Sequence, residues 1–231
     1  MQTISWLSLS WCLIPVSLVA FIFWRWHNGH VSEILIATTR MAVQLIAVGY
    51  VLIFLFNTPS VWISLAVMSV MLLAASWIAI RPVRHHQGLL IPAGIALITS
   101  VIFHLAISLK LVLQVDVWYE PRVLIPLAGM FFANSMNSIS LTAERYFSEI
   151  KNRTDTAAAR VHAYRTAMIP QINGLLAVGL VALPGMMTGQ ILSGVSPLIA
   201  VRYQILIMTM LLGTCGLSSA LLLWQLSHRR Q

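Results

Sequence analysis

Charged residues are scarce in this chain. Only 9% of its 231 residues are Asp, Glu, Lys or Arg, whereas ordinary soluble domains carry roughly 25%. Hydrophobic residues make up 59% of the chain, and its mean hydropathy is +0.86. This composition excludes a soluble globular domain and indicates an integral membrane protein.

Cysteines are few, and the common catalytic motifs are missing. Cys12 and Cys215 lie far apart in apolar segments, so neither a disulfide framework nor a zinc site is predicted. The only lysines, Lys110 and Lys151, do not follow a glycine, which excludes the Walker A loop that holds ATP phosphates. We therefore expect no enzymatic activity and no cofactor, and the residues leave open whether any metal binds.

Long apolar runs occupy most of the chain. A helix needs about 20 apolar residues to cross the hydrocarbon core of a bilayer. Seven windows meet this requirement: Ile4–Trp24, Ile34–Phe56, Pro59–Ile80, Gly88–Leu109, Val123–Ala143, Ala167–Leu192 and Tyr203–Leu226. We predict an all-α, polytopic membrane protein with about seven transmembrane helices, forming one transmembrane domain over residues 1–231.

The distribution of basic residues predicts the orientation, because cytoplasmic loops carry an excess of Lys and Arg. If the N-terminus is outside, most basic residues lie at the inner face: Arg25, Arg40, Arg81, Arg84, Arg145, Lys151, Arg153, Arg160, Arg165, Arg229 and Arg230. Lys110, Arg122 and Arg202 then lie outside. We predict an N-out, C-in protein of the inner membrane, whose net charge of +8 reflects this anchoring and not nucleic-acid binding.

The longest polar segment, Glu144–Arg165, predicts a cytoplasmic helical hairpin that occupies about residues 144–168. Its first half continues the fifth helix, and Thr154 or Asp155 offers an N-cap for a second helix over Thr156–Met168. A solvated connector and a docking surface for a cytoplasmic partner both fit this pattern. The candidate docking residues are Glu144, Arg145, Glu149, Lys151, Arg153, Arg160 and Arg165.

The sixth window contains a proline and glycines, which predict a break in the helix. Backbone groups freed by such a break must find partners in protein or in a water-lined cavity, so the pattern indicates a translocation path or a helix crossing. Polar residues in the second and fifth windows fit either a path or packing between helices. The candidate path residues are Arg40, Gln44, Asn134, Asn137, Ser138, Pro184, Gly185, Met186, Met187, Thr188, Gly189 and Gln190.

Several of these segments resemble one known family. They are Arg40-x-x-x-Gln44-Leu45-Ile46, Ile125-Pro126-Leu127-Ala128-Gly129-Met130, Leu183-Pro184-Gly185-Met186-Met187-Thr188-Gly189 and Val201-Arg202-Tyr203-Gln204-Ile205. The chain is similar to the FetB-type ABC transporter permeases, over about residues 33–221. This group includes bacterial permeases implicated in iron export and plant relatives linked to aluminium tolerance.

The resemblance implies a permease subunit that pairs with a separate ABC ATPase subunit and with a second copy of itself. It also suggests export of iron. The segment Arg145–Arg165 is shorter than the corresponding loop of the family and lacks its Leu-Gly-Ala-like segment. Three hypotheses therefore remain: an ABC permease for iron or another solute, an ATPase-independent channel or carrier, and a non-conducting membrane scaffold.

Overall fold

The structure of the protein is a computed structural model, and it describes residues 5–27, 31–57 and 60–228. These residues contain nine α-helices and no β-strand, apart from one isolated bridge between Val178 and Ala182. The predicted all-α, polytopic fold is therefore confirmed. The helices fall into two compact units, which divide between Asn57 and Ser60.

The first unit contains the helices α1 (Trp6–Ser10), α2 (Leu13–His27) and α3 (Val31–Asn57). The side chain of Ser5 caps α1 by accepting a hydrogen bond from the Ser8 amide. Helix α2 packs against α3, and most side chains of α3 are exposed in the structure. For a helix of this hydropathy, exposed apolar side chains indicate contact with lipid or with further protein.

The second unit contains six helices: α4 (Val61–Ala79), α5 (Leu90–Ala106), α6 (Pro121–Lys151), α7 (Thr156–Ala177), α8 (Gly185–Leu192) and α9 (Pro197–His228). A short 3₁₀ turn, Arg81–Val83, follows α4, and a π-helical segment, Ile107–Val112, continues α5. The π segment begins where the Ser108 hydroxyl donates to the His104 carbonyl, a side-chain bond that competes with the helical ladder.

Helix α6 is the centre of the second unit and packs against α4, α5, α7 and α9. It starts at Pro121, whose missing N–H costs nothing at a first helical position. Large side chains on its buried faces fill the core, among them Phe131, Ile139 and Tyr146, each fully buried. Bulky apolar residues on several faces of one helix are typical of a helix surrounded by others.

Small residues let the helices approach one another closely. The hydroxyl of Ser100 on α5 donates to the carbonyl of Thr214 on α9 at 2.7 Å. On α6, Ser138 pairs with Ser219 of α9, with 2.8 Å between their hydroxyl oxygens. Beside these bonds, Gly213 leaves room for the ring of His104. Small residues and interhelical hydroxyl bonds are the usual means of packing helices within membranes.

One end of the second unit carries the turn between α6 and α7, and we call it the hairpin end. The end of α4 lies there, because the Ser140 hydroxyl of α6 donates to the Ala79 carbonyl at 2.7 Å. The end of α9 and the start of α5 lie together, because the Gln225 amide donates to the Pro92 carbonyl at 3.3 Å. Helix α7 begins at this turn, so it runs from the hairpin end towards the opposite end of the second unit.

The described residues contain six helices that are long and apolar enough to cross a membrane. The predicted window Ala167–Leu192 is not one of them, because it is divided into the end of α7, a non-helical break and the short α8. The predicted count of about seven transmembrane helices is thus not confirmed, and the predicted orientation remains a prediction. Arg229 and Arg230, which contributed to that prediction, lie outside the described residues.

Candidate translocation and docking sites

The predicted break is present between α7 and α8. Helix α7 ends at Ala177, the chain passes through Gly179 with a φ of +82°, and α8 starts after Pro184. Glycine adopts a positive φ at little cost, whereas other residues are strained there. The Val181 amide donates a hydrogen bond to the Ala177 carbonyl at 2.8 Å, and the Gly179 amide donates one to the Ala182 carbonyl at 3.0 Å. The break therefore satisfies much of its own backbone.

The tip of the break is apolar and exposed. Leu180 and Val181 are 89% and 85% exposed, and Leu183 is 63% exposed. Transfer of such apolar side chains from water to an apolar environment is favourable. An exposed tip of this kind therefore indicates contact with lipid or with a partner surface.

A cavity of about 250 Å³ lies between the break and the first turns of α9, and we call it the break cavity. Its walls come from α7, the break, α8 and α9: Leu175, Val178, Gly179, Leu183, Pro184, Met187, Val201, Gln204, Ile205, Met208 and Thr209. Gln204 is only 6% exposed, and its Oε1 has no hydrogen-bond partner among the described residues. Such an unpaired buried acceptor costs about 1–3 kcal/mol.

Two of the predicted path residues, Pro184 and Met187, line the break cavity. The hydroxyl of Thr188 donates to the Pro184 carbonyl at 3.2 Å, so it closes the first turn of α8. Gln190 lies three residues after Met187, on the same face of α8, and its Oε1 also lacks a partner within the described chain. The remaining candidates on α8, Gly185, Met186 and Gly189, do not line the cavity.

The structure places the predicted path residues of α6 away from the break cavity. Ser138 is buried in the contact with α9, where it bonds Ser219. The Asn134 side chain donates to the Met130 carbonyl of its own helix at 2.9 Å, and Asn137 is exposed. Ser138 therefore contributes to the packing of α6 against α9. Asn134 and Asn137 are partly or fully exposed, so their amide groups lie at the surface of the second unit.

Arg40 and Gln44, the remaining path candidates, belong to the first unit. Both side chains are exposed on α3, and their spacing of four residues places them on one face of that helix.

The predicted helical hairpin is present, and Glu149 fixes its turn. Helix α6 has 31 residues, about 46 Å at 1.5 Å per residue, which exceeds the roughly 30 Å of hydrocarbon. Its last two turns, which follow Ala143, therefore extend beyond the apolar span. There, Glu149 is nearly buried and accepts the Thr154 hydroxyl at 2.8 Å and His162 Nδ1 at 3.2 Å, beside an ion pair with Arg145.

These contacts lower the pKa of Glu149 below its ordinary value, although burial of the carboxylate opposes them. The hydrogen bond from Thr154 lowers its pKa most, and the hydrogen bond from His162 and the positive charge of Arg145 lower the pKa further. Asp155, one of the two predicted candidates for the N-cap, caps α7 by accepting the Ala157 amide at 3.0 Å. Glu149, which the sequence suggested as a docking residue, is thus positioned to hold the turn.

The other candidate docking residues are exposed at the hairpin end: Glu144, Arg145, Lys151, Arg153, Arg160 and Arg165. A groove of about 470 Å³ runs between α7 and the end of α9, and Arg160, Tyr164 and Arg165 form part of its walls. The surface is predominantly basic, which favours a partner that presents carboxylates.

No group of three or more His, Cys, Asp or Glu side chains within residues 5–27, 31–57 and 60–228 is arranged to hold a metal ion. Sequence reasoning included Gln204 in a family-like segment but missed it as a site residue. A lone amide within the apolar start of α9 was the available signal, since a buried polar group in a span needs a partner or a role.

The chain resembles several known proteins over most of its length. It is 35% identical over 233 residues to the UPF0014 membrane protein slr1647 of Synechocystis, covering 94% of this chain and 90% of the relative. It is 32% identical over 203 residues to the Probable iron export permease protein FetB of Escherichia coli, covering 81% and 77%. It is 31% identical over 224 residues to the Protein ALUMINUM SENSITIVE 3 of Arabidopsis thaliana, covering 90% and 80%.

No solved structure matches the chain. The model of one protein family matches residues 6–230. The chain therefore belongs to the family described as Uncharacterised protein family UPF0014.

Proposed function

We propose that this membrane protein is the permease subunit of an ABC transporter that exports a metal ion, iron in the first instance, across the inner membrane. ATP is hydrolysed by a separate ATPase subunit, and two copies of the chain form the transporter. The observation that carries the proposal is the braced hairpin with its exposed basic surface. Its support is the relative named as a probable iron export permease.

Helix α7 links the two sites. It begins at the hairpin turn with Thr156 and ends at the break with Ala177, about 33 Å away at 1.5 Å per residue. Since the Glu149 contacts hold the start of α7 to the end of α6, a partner that moves the hairpin also moves α7. The break, with its glycine hinge at Gly179, is where such a displacement changes the walls of the break cavity.

The docking step is tested by charge reversal at the hairpin. We expect Arg153→Glu and Arg160→Glu to abolish co-purification of the ATPase subunit from detergent-solubilised native membranes, because acidic partner groups would face new carboxylates. Lys110→Glu is the matched control, since it makes the same charge change outside the hairpin end. Membrane insertion is verified by the yield of folded chain in gel filtration.

The outcomes separate the three hypotheses. A stoichiometric ATPase that is lost in the hairpin variants and retained in Lys110→Glu supports the permease. A homo-oligomer without any ATPase, together with nucleotide-free iron flux in proteoliposomes, contradicts it and favours a carrier. If neither an ATPase nor flux is found, the protein is a scaffold.

A further inference from the structure

The groove between α7 and the end of α9 combines apolar walls with two arginines, and we call it the hairpin groove. Its volume is about 470 Å³. Ala157, Val161 and Tyr164 of α7 form one wall, because residues three and four apart lie on the same face of a helix. Ala220 and Leu223 of α9 contribute the other wall. The space between the two helices is therefore suited to an apolar chain.

Arg160 and Arg165 flank this apolar wall of α7. At 3.6 residues per turn, the two arginines lie about 70° to either side of the face that carries Ala157, Val161 and Tyr164. Both line the groove, and both side chains are exposed. Within the described part of the chain, neither guanidinium forms an ion pair with a carboxylate. Because a guanidinium binds a phosphate through paired hydrogen bonds, the two arginines favour a phosphate group at the groove.

The hairpin groove lies at the level of the lipid headgroups. The turns of α6 that follow Ala143 extend beyond the apolar span. The Thr142 hydroxyl donates to the Ser219 hydroxyl at 3.0 Å, so Ser219 of α9 lies where that span ends. Leu223 follows Ser219 by one turn towards the hairpin end. Tyr164, whose ring has a polar tip, is of the residue type that is enriched at this depth.

We propose that the hairpin groove binds one anionic phospholipid. Its phosphate lies between the guanidinium groups of Arg160 and Arg165, and an acyl chain runs past Val161 and Leu223 towards the hydrocarbon. A phospholipid supplies the anion and the apolar chain in one molecule, whereas carboxylates of a protein partner would leave Val161, which is 54% exposed, uncovered. Basic pockets between helices at a membrane surface are suited to such headgroups.

The bound lipid would tie α7 to α9. This inference does not rest on the proposed function, because the groove lies within a single chain. The turn beyond the groove, with Arg153, remains open to a protein partner.

Two lipids that differ only in the headgroup test the proposal. The purified, delipidated chain in a neutral detergent is titrated with phosphatidylglycerol and with phosphatidylcholine of identical acyl chains, and native mass spectrometry gives the Kd of the first bound lipid. We expect phosphatidylglycerol to bind about tenfold or more tightly, because the choline cation offsets the phosphate charge and is repelled by the arginines.

Matched variants assign that preference to the groove. The double variant Arg160→Gln, Arg165→Gln should remove it, and Arg165→Gln alone, which the docking experiment does not use, should reduce it. The double variant Lys110→Gln, Lys151→Gln loses two positive charges that do not line the groove and should retain the preference. Ala220→Phe fills the groove and should weaken phosphatidylglycerol binding while both arginines remain. Thermal unfolding without added lipid verifies that each variant is folded.

A second measurement separates a lipid from a free anion. At constant ionic strength, phosphatidylglycerol should raise the midpoint of thermal unfolding, since a ligand of the folded state stabilises it, whereas inorganic phosphate should not. Equal stabilisation by inorganic phosphate would mean a simple anion site and would overturn the proposal. Equal affinities for the two lipids would also overturn it. A preference that survives the double arginine variant would do the same and leave the groove to an acidic protein partner. No ATPase is present, so the result is independent of the co-purification experiment.

Discussion

The contact between Gly213 of α9 and His104 of α5 predicts that one added methyl group destabilises the second unit. A Cβ atom added to Gly213 of α9 would overlap the His104 ring on α5. That ring is buried, and its Nδ1 lies 2.8 Å from the Ser100 carbonyl. Because a carbonyl only accepts, Nδ1 carries the proton and holds the ring in place. Gly213→Ala must therefore break this bond or separate the two helices.

The magnitude follows from those alternatives. A lost hydrogen bond costs about 0.5–1.5 kcal/mol, and an unsatisfied buried group about 1–3 kcal/mol. Forcing an extra methyl group into a packed interior costs about 1–3 kcal/mol. We therefore expect Gly213→Ala to lower the free energy of unfolding by about 1–3 kcal/mol, measured from thermal or denaturant unfolding of the purified chain in detergent.

Two comparisons make this prediction specific. Gly189→Ala is the matched control, because an added Cβ there meets no atom within 4 Å, and its stability should change little. In the double variant Gly213→Ala, His104→Ala, the ring is gone, so the added methyl should cost much less than in the single variant. Unchanged unfolding of Gly213→Ala, or a cost that is the same with and without His104, would refute the packing argument.

Two further predictions concern the hairpin and the break. Since the pKa of Glu149 is lowered in the folded protein, its contribution to hairpin stability is present above the unfolded pKa and lost as the pH falls through the folded value. Hydrogen exchange at residues 152–157, corrected for intrinsic rates, should therefore rise in acid, and Glu149→Gln should abolish this dependence. Leu180→Ala, at an 89% exposed position, should change stability by less than about 0.5 kcal/mol. Leu97→Ala, at a fully buried position, should lower the free energy of unfolding by about 2–5 kcal/mol. The two variants are compared by thermal unfolding in detergent. Equal losses of stability would contradict the exposure of Leu180 and the burial of Leu97.

Local signals were sufficient where an element depends on its own residues. The α6–α7 hairpin was predicted because polar residues extend the fifth apolar window and Thr154 or Asp155 offers a cap. Both features are present, with Asp155 as the cap. The break was predicted because Pro184 and the glycines interrupt an apolar run. Neither pattern predicted the number of continuous membrane-spanning helices. The window Ala167–Leu192 is apolar enough on average to cross a membrane, but a non-helical segment separates α7 from α8 within it.

The site depended on information that no local pattern contains. Ser138 and Asn134 read alike in the sequence, yet Ser138 meets Ser219 of α9 while Asn134 bonds its own helix. The sequence suggested that Glu149 is a surface charge, but it is enclosed by one neighbour each from α6, the turn and α7. These differences arise from contacts between residues far apart in the chain or across a turn, which period and composition do not encode.

By itself, the sequence determined the class of the protein: an all-α membrane protein of the UPF0014 family, because hydropathy, charge and motifs are properties of consecutive residues. Only the tertiary structure decided which polar side chains lie in contacts between helices, as Ser138 does, and which lie beside a cavity, as Gln204 does. It paired α9 with the end of α7, which put Gln204 beside the break cavity without a hydrogen-bond partner in the described chain. The physical reason is that burial and hydrogen bonding depend on which helices meet, and that choice is made by the packing of the whole unit.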